Sequence, residues 1–212
     1  MKLLYITRDP PGFGGAERRL LEICKWLAAK GHTVHVLCGK TRPDLPDYEQ
    51  KDGVHYHYLT LLPQYFFKFK RFSFYASRYL FYFLSLFFGR YIRRLNPDII
   101  VEYVTPSPSL IYPLARLHGK PCVGIIMEYR SYHQWREVAD PISAHFGFVG
   151  QNIFFRRFRY DQIITISKAT FRQLIKGGIQ PERIQIIPLG VEGADYLPNK
   201  PIKRRPNILL VV

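Results

Sequence analysis

Apolar residues fall into short runs along the chain, and the period of those runs alternates between strand and helix. Lys2 to Thr7 is a brief apolar run of the kind a buried strand carries. A glycine loop follows. From Ala16 to Lys30 the positions Leu20, Leu21, Ile23, Cys24, Leu27 and Ala28 recur at helical spacing, and Gly31 predicts the cap. Thr33 to Cys38 and Val54 to Leu59 are two further β-rich runs, separated by a polar loop from Gly39 to Gly53. Strand, glycine turn, helix and strand in close succession make a βαβ unit, and hence a parallel sheet.

The second half continues the alternation. Pro97 breaks a helical pattern, and Asp98 to Tyr103 predicts a fourth strand. Leu110 to Leu117 predicts a short helix, and Cys122 to Met127 a fifth strand. Tyr129 to Gly147 reads as polar and irregular, Gln151 to Arg159 as helical, and Gln162 to Ile166 as a sixth strand. Ser167 predicts the N-cap of a helix through Ile175 that Gly177 and Gly178 close, and Ile184 to Ile187 completes seven strands. Asn199 to Pro206 is rich in Pro, Lys and Arg, so it reads as a linker before a new buried strand at Asn207 to Val212. The expected organisation is a Rossmann-like α/β domain over 1–198. Residues 199–212 are expected to begin a second domain.

Composition narrows the function. With 47% apolar and 22% charged residues the chain can bury a core, which excludes wholesale disorder. Cys24, Cys38 and Cys122 lie far apart, without a CxxC pair, so they read as core residues of a reducing compartment. Six of the seven histidines (His32, His35, His55, His57, His118, His145) read as turn or strand residues without metal-ligand spacing. Leu3 to Ile6 is too short an apolar run to act as a secretory signal. A formal charge of +15 calls for an anionic partner: nucleic acid, a membrane surface or a phosphorylated substrate.

The loop Gly12-Phe13-Gly14-Gly15-Ala16-Glu17 joins the first strand to the first helix. Backbone amides at such a turn form a ready phosphate site, although a turn needing positive φ accounts for the same glycines. As a dinucleotide fingerprint it fails twice. Glu17 takes the third glycine position, and Cys38-Gly39-Lys40 lacks the ribose-binding acid, although Lys40 or Arg42 remains open to a 2′-phosphate.

Five collinear stretches resemble the acceptor-side domain of family 4 retaining glycosyltransferases, which have two Rossmann-like domains in the GT-B architecture. They are Pro11 to Gly39, Asp52 to Leu59, Asn96 to Tyr103, Tyr160 to Glu182 and Arg183 to Glu192. The resemblance implies a nucleotide-sugar clamped between the domains, with no metal or other cofactor. It implies that Gly14 and Gly15 face the donor diphosphate and transferred sugar, with Glu17 nearby. Ser167 and Lys168 would open a helix near the cleft, and Gly190 would lie in the turn toward the second domain. Where the family often has a histidine followed by an acid, this chain has Met127-Glu128, then Tyr129, Arg130 and His133. Glu128 matches the acid. The general base or acceptor-hydroxyl partner is Glu128, or His133 if its loop folds inward, with Arg130 beside them as a binding residue. The family's remaining donor residues belong to the second domain, so the 212-residue chain alone is expected to be inactive.

The segment Tyr65 to Tyr91 holds 14 of the 33 aromatic residues, and no acid occurs from Gly53 to Pro97. Lys68, Lys70, Arg71, Arg78, Arg90, Arg93 and Arg94 supply its positive charge. The apolar run from Tyr79 to Gly89 is too short to cross a bilayer. Three readings follow: packing against neighbouring helices or the second domain, interfacial insertion beside anionic lipid, and single-stranded nucleic-acid binding, the last without any recognisable motif. The favoured expectation is a hexosyl-type retaining transferase, cytoplasmic and peripherally membrane-bound, acting on a lipid-linked acceptor. The alternatives are a non-catalytic membrane- or nucleic-acid-binding module of Rossmann-like fold, and an NAD(P)-dependent oxidoreductase.

Overall fold

The structure, a computed structural model, describes residues 1–9, 15–40, 44–60, 85–104 and 109–188. The expected linker and second-domain strand at 199–212, and most of the aromatic segment, lie outside these residues.

The described strands are β1 (Lys2–Ile6), β2 (Thr33–Gly39), β3 (Tyr48–Lys51), β4 (Val54–Leu59), β5 (Ile99–Val104), β6 (Cys122–Ile126), β7 (Gln162–Thr165) and β8 (Ile184–Ile186). They form one eight-stranded sheet in the order β3-β4-β2-β1-β5-β6-β7-β8. Every pairing is parallel except β3 with β4, so the expected Rossmann-like sheet of about seven parallel strands is present with an added antiparallel edge. The expected polar loop from Gly39 to Gly53 thus contains a strand. Its turn is Asp52-Gly53, both at positive φ (53° and 76°), the geometry a two-residue hairpin demands. Three of the four β3 residues are exposed, as suits an edge that must not recruit another strand.

The helices are α1 (Gly15–Ala29), α2 (Gly89–Leu95, after a 3-10 turn at Ser85–Phe88), α3 (Ile111–Leu117), α4 (Tyr132–Val138), α5 (Pro141–Arg157) and α6 (Lys168–Lys176). The expected irregular stretch from Tyr129 to Gly147 is therefore mostly helical. Ser131 and Gln134 form a capping box at the start of α4. Asp140 accepts from the amides of Ile142 and Ser143, with Pro141 as the first residue of α5.

Strand residues alternate between two cores. On one face Leu3, Tyr5, Val34, Val36, Val101, Tyr103 and Ile125 pack with Leu20 and Cys24 of α1. On the other Leu4, Ile6, Ile100, Val104 and Ile126 pack with Ile92 of α2, Ile111 and Ala115 of α3, Phe155 of α5 and Leu174 of α6. All three cysteines are buried and unpaired, and burial pushes the Cys24 thiol up to about 12. His35, His55 and His57 are strand residues of β2 and β4; His145 lies in α5, not in a turn or strand.

Candidate functional site

Ligands of open α/β sheets bind beyond the carboxyl ends of the strands, where the direction of crossover reverses. Here that point lies between β1 and β5, because β1 leads through α1 to β2 on one side while β5 to β8 continue on the other. The glycine loop leaves β1 at this point. Just beyond the strand Arg8 and Asp9 form a part-buried ion pair, Arg8 Nε donating to Asp9 Oδ2 at 2.9 Å, and the Gly39 amide donates to the Arg8 carbonyl at 2.9 Å. Gly14 lies outside the described residues. Gly15 is the first, exposed residue of α1, and Glu17 is buried one step into its first turn.

The end of β6 carries a second cluster. Glu128 and Arg130 form an ion pair at 2.8 Å, and the Arg130 guanidinium lies 5.4 Å from the centre of the buried Trp135 ring. Helix α5 holds this loop by two consecutive side chains. The Arg130 amide donates to Gln151 Oε1 at 3.2 Å, Gln151 Nε2 returns a bond to the Arg130 carbonyl at 3.0 Å, and Tyr129 Oη donates to Asn152 Oδ1 at 2.6 Å. Gln151 has no exposed surface, so its amide is committed to this clamp.

Beyond β7, Ser167 caps α6 as expected, accepting from the Thr170 amide at 3.1 Å. The Thr170 hydroxyl donates to the Met127 carbonyl at 3.1 Å, which ties the start of α6 to the end of β6. Lys168 is exposed beside this cap. His133 stands apart from Glu128's ion pair: its side chain is 85% exposed on α4, with Nδ1 3.2 Å from Glu137 Oε1. On the α1 face an apolar groove of about 520 Å³ runs from Tyr5 and Trp26 to Met127, Ile166 and Pro188, with Arg19 and Glu22 as its charged lining.

The family model for Glycosyltransferase Family 4 matches residues 13–194. The chain belongs to Glycosyltransferase Family 4. No protein of curated function matches it by sequence. Among solved structures, sucrose-phosphate synthase from Thermosynechococcus elongatus is similar at 17% identity and a TM-score of 0.63 over 90% of this chain and 48% of that one. WaaG, a glycosyltransferase involved in lipopolysaccharide biosynthesis, is similar at 14% identity and a TM-score of 0.60, covering 93% and 48%. A trehalose-6-phosphate structure from E. coli bound with UDP-2-fluoro glucose matches at 12% identity and a TM-score of 0.55, covering 92% and 50%. These likenesses show the fold, a GT-B half, and the family 4 chain spans about half the length of the structures it matches.

Within this family 4 domain, Gly15, Glu17, Glu128, Arg130, Ser167 and Lys168 all lie at or just beyond the carboxyl edge of the sheet. Gly190 lies outside the described residues, as do Lys68, Lys70, Arg71 and Arg78. Arg90, Arg93 and Arg94 are exposed on α2. Sequence reasoning missed Arg8, Asp9, Gln151, Asn152 and Thr170. An Arg-Asp pair directly after a buried strand was a visible signal for the first two. The Gln151 clamp had none, since its partner is 21 positions away.

Proposed function

We propose that the domain is the acceptor-side half of a retaining glycosyltransferase that moves a hexosyl group from a nucleotide-sugar to a lipid-linked acceptor at the cytoplasmic membrane surface. In this reading the amides of Gly14 and Gly15 meet the donor diphosphate at the positive end of α1. Glu17 lies beside the transferred sugar, and Ser167, Lys168 and Gly190 border the cleft from the other side. Glu128 takes the proton of the acceptor hydroxyl or orients it, with Arg130 holding the carboxylate in place and meeting acceptor anions. His133 serves that role only if α4 turns toward the cleft. No metal or other cofactor enters the scheme. The base-rich stretch from Lys68 through Arg71, Arg78, Arg90, Arg93 and Arg94 meets anionic lipid and brings the cleft to the headgroups.

The observation that carries the reading is Gly15. Its φ is not among the positive values, and among the described residues an added Cβ would meet nothing within 4 Å. Neither backbone strain nor packing asks for glycine there, whereas close approach of a ligand to the main chain does. The test is Gly15→Val in the full-length protein. Folding stability should change little, while sugar transfer falls on the order of 10²–10³-fold, the loss typical of a blocked oriented donor. Activity within a few-fold of wild type would refute the assignment.

A further inference from the structure

We infer that helix α5 inserts an apolar ridge into the interfacial layer of an anionic bilayer; this rests on the membrane-surface reading above and assigns the inserting element. At 100° per residue, Ala144, Gly147, Gln151 and Phe155 form the inward stripe of α5, and all four are buried. On the opposite side Ile142, Phe146, Val149 and Ile153 fall within about 60° of arc. Ile142 is 69% exposed, Phe146 59% and Ile153 53%. An ordinary surface helix has its large apolar residues inside and its charges outside. Over its first three turns this helix reverses the arrangement, with Ala144, Gly147 and the Gln151 amide facing in and branched or aromatic residues facing out; Phe155, near its end, puts a large apolar side chain into the core. No Asp, Glu, Lys or Arg occurs from Pro141 to Phe155.

Charge selects the occupant. The helix ends in the exposed Arg157, with Arg159 exposed just beyond. It packs on the same face of the sheet as α2, which exposes Arg90, Arg93 and Arg94 next to Phe87, itself 73% exposed. Exposed apolar side chains bordered by arginines are what an anionic interface takes up. A second copy fits less well. Its three largely exposed side chains fall well short of the ~800 Å² per partner of a stable interface, and two chains of +15 repel.

The experiment places a reporter on the ridge. In full-length protein with Trp26 and every tryptophan outside these 212 residues replaced by Phe, Phe146→Trp adds an exposed tryptophan while Trp135 stays buried as an internal control. Vesicles of phosphatidylcholine and phosphatidylglycerol at roughly 2:1, with part of the lipid brominated, should blue-shift and quench the new tryptophan. In co-sedimentation the triple variant Ile142→Ser, Phe146→Ser, Ile153→Ser should bind at least about tenfold more weakly while its melting temperature holds or rises. Vesicle-bound protein whose reporter is not quenched overturns the inference, and does so even if the triple variant fails to fold. A triple variant that binds like wild type, while Arg90→Glu, Arg93→Glu and Arg94→Glu together abolish binding, overturns the ridge and keeps the membrane reading. Wild type that ignores these vesicles at low salt removes both. A dimer that the triple variant converts to monomer assigns the ridge to a second copy instead.

Discussion

Glu102 is a buried carboxyl whose titration is coupled to folding. It accepts from Tyr160 Oη and from the Ser109 amide, each at 2.5 Å, and burial pushes its carboxyl up to about 7. A carboxyl raised on folding holds its proton in the native state. Its stabilising contribution is therefore fully present below the unfolded value of about 4.5 and is lost as pH rises through about 7. His35 has the opposite slope: burial lowers it to about 4, so its contribution is lost as pH falls below about 6.5. Above that pH only Glu102 of the two still titrates. Denaturant unfolding between about pH 6.5 and 8.5 should show wild type losing the last ~1 kcal/mol of this contribution, and Glu102→Gln should flatten that slope. A variant with the wild-type slope would move the titration elsewhere. Gly15, Glu17 and Ser167 were legible in the sequence because loop and cap chemistry is local. Glu102 was not, since alternation marks its position as buried without naming Tyr160 as its partner 58 residues on.

Elements follow the same divide. The Ser131-x-x-Gln134 box and the Asp140-Pro141 start were readable signals for α4 and α5, outweighed by the polar character of the stretch from Tyr129 to Gly147. Its one glycine, Gly147, is a packing requirement. A Cβ on Gly147 would sit 2.7 Å from the ring of Trp135, which is buried and cannot yield. Gly147→Ala should therefore destabilise the domain by about 1–2 kcal/mol, even though alanine is the better helix former. Thermal unfolding measures this, and a variant as stable as wild type would mean that Trp135 relocates. Because Trp135 lies under Arg130, the same variant should also disturb the Glu128–Arg130 pair.

At the scale of the whole molecule, the domain presents one edge of a sheet and the loops beyond it. A site built on such an edge closes only when something covers it. The purified 212-residue chain should accordingly show no steady nucleotide-sugar consumption above a blank, while weak donor binding by calorimetry remains compatible with the reading. Sustained turnover would place every transfer residue within this half.

The alternation of apolar periods determined the parallel α/β sheet, and five collinear motifs identified the family. Both signals are carried by residues close in sequence, where a glycine, a cap or a helical repeat has its meaning within one or two turns. Tertiary structure alone decided the rest. The β3 edge needed β4 as its partner, since one tyrosine followed by three polar residues has no reason to be a strand by itself. The loop of Glu128 and Arg130 is fixed by Gln151 and Asn152 across more than twenty positions, a contact that exists only after β6 and α5 have packed. The outward side of α5 was set by the sheet and Trp135, because a helix apolar all round has no preferred face until its smaller residues find a surface they can approach more closely.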